Sequence, residues 1–346
     1  MGHPYRLREI AQQSGLSLAT VDRVLHGRPG VRAGTIADVE QAIAELDRQA
    51  SQLRVAGRTF LVDLVMQTPA RFSSAVRGAL EAELPHLRPA VIRSRFHLRE
   101  GSSSAEVVRA LDGIGRRGSQ GVILKAPDTP EVDDAVARLV DRGIPVVTLV
   151  TDLPNSRRLA YVGIDNTAAG ATAAYLVAQW TPAGSSGTVL VTLSSSTFRG
   201  EDDRAAGFRA TLRDLAPARA VHAVTDSGGL DAPMHELVAT ALAHDRSIDA
   251  VYSIGGGNTA TLGAFEQAGR SCGVFVAHDL DDDNAVLLRQ RRISAVLHHD
   301  LRDDVRRVCR IIMQAHGAVP GPVHSLPSPV QVVTPYNQPA ALGPPR

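Results

Sequence analysis

Apolar residues in the first fifty positions recur at helical spacing. Leu7, Ile10, Ala11 and Ser14 fall on one side of a short helix, with Arg6, Arg8, Glu9, Gln12 and Gln13 opposite. Gly15 stands where a helix must end in a left-handed residue, which glycine occupies without steric cost. Leu16 follows as an apolar pivot, and the hydroxyl of Ser17 is placed to cap a second helix. That helix turns Val21, Val24 and Leu25 inward and leaves Leu18, Ala19, Asp22, Arg23 and His26 facing out. Pro29 and Gly30 break the pattern. Thr35 can then cap a third helix, with Asp38 three residues on and an apolar face of Ile36, Val39, Ile43 and Leu46. Three such helices make a headpiece over 1–46, near the lower size limit for independent folding. Residues 47–58 are polar and basic, lose the periodicity and read as a linker, with Leu53 their conspicuous apolar residue.

From Thr59 the period changes. Apolar runs at 60–66, 90–96, 121–124, 145–149 and 160–162 alternate with amphipathic segments at 73–84, 103–116 and 130–142. A second series has strands at 188–193, 220–224, 250–253, 274–277 and 293–297. Its helices fall at 167–179, 203–215, 231–244, 258–267 and 283–290. Buried strands alternating with helices wind into parallel sheets, so the chain reads as α/β with two Rossmann-like lobes. A helix at 301–316 and a strand at 330–333 follow. The expected two-lobed unit spans 59–338. Its first lobe covers 59–163 plus a C-terminal return, its second covers 164–297, and 339–346 is a loose tail.

Composition narrows the class. A chain of 346 residues is too long for one average domain, and 44% hydrophobic with 21% charged residues suits a soluble globular protein. A net charge of +1 gives no global attraction to nucleic acid, so any DNA contact must be local; residues 1–58 carry a mild arginine excess. No apolar run approaches the length of a membrane span, and no charged-then-apolar leader opens the chain. Cys272 and Cys309 are too few for a disulfide framework or metal cluster and read as reduced thiols of a cytoplasmic protein. Lys125 is the only lysine, a bias that genome composition accounts for.

The chemistry-bearing patterns point to binding. No Gly-x-Gly-x-x-Gly follows a strand, and there is no phosphate loop, zinc spacing or nucleophile–base pair, so neither a cofactor, a metal nor an enzyme is expected. Gly255-Gly256-Gly257-Asn258 follows a strand and opens a helix, as a backbone approach to ligand or as a tight turn. Asp128, Asp165 and Asp279 follow the C-terminal ends of strands, and Arg204 begins a helix after the polar loop 194–203. Each aspartate alone suits a helix cap. Together with the arginine they suit a polyhydroxylated ligand, because carboxylates accept from hydroxyls and a guanidinium donates in a fixed fork. The N-terminal helix, turn and helix fits an ordinary hairpin or a reader that lays its second helix in a DNA major groove.

The order of parts resembles the lactose-repressor (LacI/GalR) family over nearly the whole chain. LREIAQQSGLSLATVDRVLHG carries that family's helix, Ala-x-x-x-Gly-Val/Leu-Ser, then x-x-Thr-Val-x-Arg-Val-Leu. YVGIDNTAAGATAAYL resembles the crossover into its second lobe, and DDRAAGF its Arg-x-x-Gly-Phe. DAVYSIGGGNTATLGAF resembles its Asn-Asp strand–helix, and VAHDLDD its Gly-x-Asp-Asp. The resemblance implies base reading by Leu18, Ala19 and Arg23, a phosphate near Thr20, and a minor-groove wedge at Leu53. It implies ligand contacts from Phe72, Ser73, Asp128, Asp165, Arg204, Asn258, Asp279 and His299. It further implies a homodimer or higher oligomer on operator DNA, with a sugar or polyol effector relieving repression. Corepression and a sugar transport receptor are the alternatives. Four features depart from the family: Asp22 where serine is usual, a linker without its proline and asparagine, GGGN at the second-lobe strand end, and His299 in place of glutamine, a titratable donor.

Overall fold

The computed structural model describes residues 5–55 (48–55 as backbone alone), 59–100, 103–325 and 327–339. The headpiece is α1 (Leu7–Ser14), α2 (Leu18–Leu25) and α3 (Ala33–Val55). Ile10, Ala11, Val21, Val39 and Ala42 are buried together, flanked by Leu7, Leu16, Val24, Leu25, Ile43 and Leu46. Gly15 adopts φ 69°, and the Ser17 hydroxyl oxygen accepts the Thr20 N–H at 3.2 Å.

Two features of α3 differ from the sequence expectation. The Arg32 carbonyl accepts from the amides of Thr35 and Ile36, so the helix opens before Thr35, which lies inside the first turn. At its other end the backbone stays helical to Val55, through most of the expected linker. Loss of apolar periodicity ends packing but not helix propensity, and Gln, Ala, Leu and Arg all favour a helix. The Leu53 side chain and residues 56–58 lie outside the described residues.

The first lobe runs β1 (Thr59–Gln67), α4 (Ala70–Glu83), β2 (Val91–Arg99), α5 (Ser104–Arg117), β3 (Gly121–Lys125), α6 (Pro130–Asp141), β4 (Val146–Leu149) and β5 (Ala160–Val162). Its strands form a parallel sheet in the order β2-β1-β3-β4-β5. Both faces are covered: Phe60, Leu64, Val76 and Leu80 lie in one apolar layer, and Val65, Leu111, Val122 and Val136 in the other. This is the burial that a continuous apolar strand run requires.

The second lobe runs α7 (Asn166–Trp180), β6 (Thr188–Thr192), α8 (Arg199–Leu215), β7 (Val221–Val224), α9 (Asp231–His244), β8 (Ile248–Ser253), α10 (Asn258–Gln267), β9 (Val274–His278), α11 (Asp282–Arg289) and β10 (Ala295–His298). After it come α12 (Leu301–Ala315) and β11 (Gln331–Val333). The sheet order is β11-β10-β9-β8-β6-β7, parallel except for β11. The C-terminal return, expected in the first lobe alone, divides between the two. Helix α12 packs Val305, Val308, Cys309 and Ile312 into the first-lobe core, whereas β11 pairs with β10 and buries Val333 in the second. The chain therefore passes between lobes after β5, after β10 and after α12, and Ile164 and Ser328 bridge two of these passages side by side. Among the described residues no helix is long and apolar enough to cross a membrane. The tail expected at 339–346 lies, from 340 on, outside the described residues.

Candidate functional site

Strand ends from both sheets face each other across a narrow cleft with a cavity volume of about 60 Å³. The first lobe contributes the turn after β1 with Arg71 and Phe72, Lys125 at the end of β3, and Val150 and Thr151 after β4. The second contributes Ser194, the start of α8 with Glu201 and Arg204, the glycines after β8, and His278 to Asn284 after β9. This is where open α/β sheets present ligands.

Arg204 is set by a close helix–helix approach. A Cβ at Gly170 would stand 1.9 Å from the Arg204 carbonyl oxygen, and one at Gly207 would stand 2.2 Å from that of Thr167. Two side-chain-free positions thus let α8 close on α7 backbone to backbone. Arg204 is buried as a result, with its Nε donating to Asn166 Oδ1 at 2.8 Å and its Nη2 buried without an acceptor among the described residues. Asn166 in turn donates to the Tyr161 hydroxyl at 3.1 Å, tying the arginine to the crossover after β5. A buried guanidinium nitrogen left unpaired is costly unless something else accepts from it.

The same lobe also carries an acceptor. Asp279 sits at φ 63°, a left-handed conformation unusual for a non-glycine residue, which turns its carboxylate to the cavity. Its oxygen is 3.9 Å from Nε2 of His299. The Nε2 of His278 meets the Tyr252 hydroxyl at 2.7 Å. Burial first, then the charges of Arg204 and His299, hold His278 well below the ordinary histidine pKa, so it is a neutral ring. Its Nδ1 is buried without a hydrogen-bond partner among the described residues.

Of the sequence-derived ligand residues, Phe72, Arg204 and Asp279 stand together on the cavity wall. The other five lie off it. His299 is one layer behind, bonded through Nδ1 to the Asp304 carboxylate. Asn258 is buried and donates to Asn284 Oδ1 at 2.6 Å. Ser73 donates to the Ala70 carbonyl at 3.1 Å, and Asp165 caps α7 by accepting from Ala168 N–H at 2.9 Å. Asp128 lies at the lobe boundary, its amide bonded to the Thr197 carbonyl of the other lobe at 2.9 Å.

Sequence reasoning missed Lys125, Glu201, Arg71 and Asp281, all on the wall. Lys125 was visible as a lone lysine closing an apolar strand run, a signal that composition masked. Glu201 precedes the expected helix start, whereas α8 begins at Arg199 and carries it inward. Arg71 spans the cleft, donating to the Gly229 carbonyl at 2.8 Å and lying 3.4 Å from the Asp281 carboxylate. Among the described residues no cluster of His, Cys, Asp and Glu could hold a metal ion.

In the headpiece, Leu18, Ala19 and Arg23 are exposed on α2. Leu18 is 53% exposed. Thr20 bonds the Ser17 hydroxyl at 2.8 Å. The Asp22 carboxylate, unfavourable near a phosphate, lies 3.3 Å from Arg28 and 3.1 Å from His26.

Residues 6–49 match the family model of bacterial regulatory proteins, lacI family, and residues 67–316 match that of the periplasmic binding protein domain. The HTH-type transcriptional regulator AglR of Rhizobium meliloti (strain 1021) is 28% identical over 183 residues, 51% of this chain and 50% of AglR; the match thus spans about half of that relative. GanP, a glucose-galactose binding protein from Geobacillus stearothermophilus, superposes with a TM-score of 0.73 at 21% identity, over 82% of this chain and 99% of its own. An ABC transporter periplasmic solute binding protein from Actinobacillus succinogenes 130z, solved with D-allose, gives 0.68 at 15% identity, over 80% and 98%. At these identities the structural likeness speaks for the fold. The chain thus belongs to the periplasmic binding protein domain family, whose model covers most of its length, and carries a lacI-family helix-turn-helix domain at residues 6–49.

Proposed function

We propose that the chain is a ligand-responsive, sequence-specific DNA-binding regulator, a cytoplasmic homodimer that represses genes for sugar or polyol uptake or breakdown. The observation that carries this reading is the pairing, in one chain, of a headpiece that exposes Leu18, Ala19 and Arg23 with a cleft that buries an Arg204 nitrogen unpaired among the described residues. The names of its structural neighbours, a glucose-galactose binder and a D-allose complex, support a sugar-like effector. The unit boundaries that go with it are 1–46 for the reader, 47–58 for the linker and 59–338 for the effector unit.

Arg23 donates in a fork that matches guanine O6 and N7, a contact worth about 1–3 kcal/mol of discrimination. Two-fold symmetry pairs the readers on a pseudo-palindromic operator. Effector in the cleft reorients the lobes and so the spacing of the two α3 ends. It shifts DNA affinity only by its differential affinity for the two arrangements.

Selection of binding sites from random duplex DNA by the full chain tests this directly. An inverted repeat is expected, and Arg23→Ala is expected to lose preference for it by roughly ten-fold or more while ligand-induced thermal stabilisation persists. Unchanged operator affinity in Arg23→Ala would remove α2 from the reading role.

A further inference from the structure

Lys125 is the single lysine among 37 basic residues, and it closes β3 on the floor of the cleft, 8% exposed. Its Nζ lies 4.0 Å from the centroid of the Phe198 ring, and its hydrogen-bond acceptor among the described residues is the Gln67 carbonyl, at a long 3.4 Å. Among the described residues it forms no ion pair. An ammonium has three donors, so most of its capacity is unspent. Arg204 likewise has Nη2 buried without an acceptor among the described residues. Burial pulls the Lys125 pKa down to about 8; Glu201 and Asp279 favour its charge, and Arg204 opposes it.

The carboxylates that could compensate these two cations are largely committed elsewhere. Asp281 accepts the Asn284 amide at 2.8 Å and faces Arg71. Glu201 accepts from the amide of Ser194 at 2.7 Å and from its hydroxyl. Burial raises the pKa of Glu201 and draws it toward the neutral acid, against the Ser194 bonds and the two cations. What remains facing the cavity is two cationic donors and the carboxylate of Asp279. Hydroxyls alone compensate buried charge poorly, whereas an anionic oxygen shared by both cations makes charge-assisted bonds to each.

We propose that the effector is a polyhydroxylated acid, whose carboxylate or phosphate oxygens rest on Lys125 and Arg204 while its hydroxyls donate to Asp279. This rests on the effector reading of the cleft. A compact ammonium beside the Phe198 ring donates to oxygens from several directions, where the wider planar fork of arginine does not.

Calorimetry and thermal shift on the full chain with matched pairs provide the test: D-galactose against D-galacturonate and D-galactonate, and D-glucose against D-gluconate and D-glucose 6-phosphate. One acid is expected to bind roughly ten- to a hundred-fold more tightly than its neutral parent, and the carboxylate and phosphate arms identify which anion it is. Lys125→Met is expected to erase that preference, the acid's affinity falling to that of its neutral parent. Neutral parents that bind as tightly as their acids, or an acid preference retained in Lys125→Met, would overturn the proposal and leave the effector cleft standing. Silence from both members of every pair would count against the proposal and the cleft reading together.

Discussion

A Cβ at position 207 would stand 2.2 Å from the Thr167 carbonyl oxygen, and that oxygen belongs to helix backbone that cannot swing away. Gly207→Ala is therefore expected to cost about 1–3 kcal/mol of stability, the usual range for overpacking. It is also expected to weaken ligand binding, because α8 must retreat from α7 and take Arg204 with it. Urea denaturation read beside thermal shift checks both; unchanged values would mean the helices part freely. The sequence showed Arg204 and Asp279 because polar residues at strand ends of open sheets are conspicuous. It could not separate Asp279 from Asp165. Both follow a strand, and only the left-handed turn at Asp279 directs one inward while the other caps its helix. Lys125 was hidden for a different reason: its meaning lies in its surroundings, and these come from Gln67 and Phe198, distant in sequence.

At the scale of elements, Arg71 in the first turn of α4 clasps the second lobe through the Gly229 carbonyl and Asp281. Burial, with the charges of Asp279 and Asp283, pushes Asp281 up to about 6 against its Asn284 bond and Arg71. A carboxyl whose folded pKa is raised above its ordinary 3.8 adds stability at low pH that is lost as pH rises through about 6. The ion pair to Arg71 has the opposite dependence, forming as Asp281 ionises. Dye pairs across the cleft are expected to report wider, more mobile lobes in Arg71→Ala above pH 6. The difference from wild type is expected to shrink below it. Equal distances at both pH values would dismiss the clasp. Most elements were legible to within a few residues, since strands buried on both faces read as apolar runs. The continuation of α3 and the placement of β11 were not. Helix propensity can persist after the packing pattern stops, and no local feature of Gln331–Val333 says which sheet edge stands open to receive it.

For the whole molecule, the claim is linkage: a ligand held by Arg204 in the cleft sets the affinity of a headpiece at the other end of the chain. Arg204 bonds Asn166, Asn166 bonds Tyr161, and Tyr161 lies on β5, just before the first of the passages between lobes. Lobe reorientation can change the separation of two α3 helices in a dimer without altering either headpiece core. The most direct measurement is operator affinity of the full chain, by fluorescence anisotropy, with and without the sugar or sugar acid that most stabilises the protein to heat. Effector is expected to change the operator Kd by roughly 5–150-fold in wild type, the range of an ordinary allosteric coupling, and to leave it unchanged in Arg204→Ala. An operator Kd in wild type that stays the same with the cleft saturated would contradict the account.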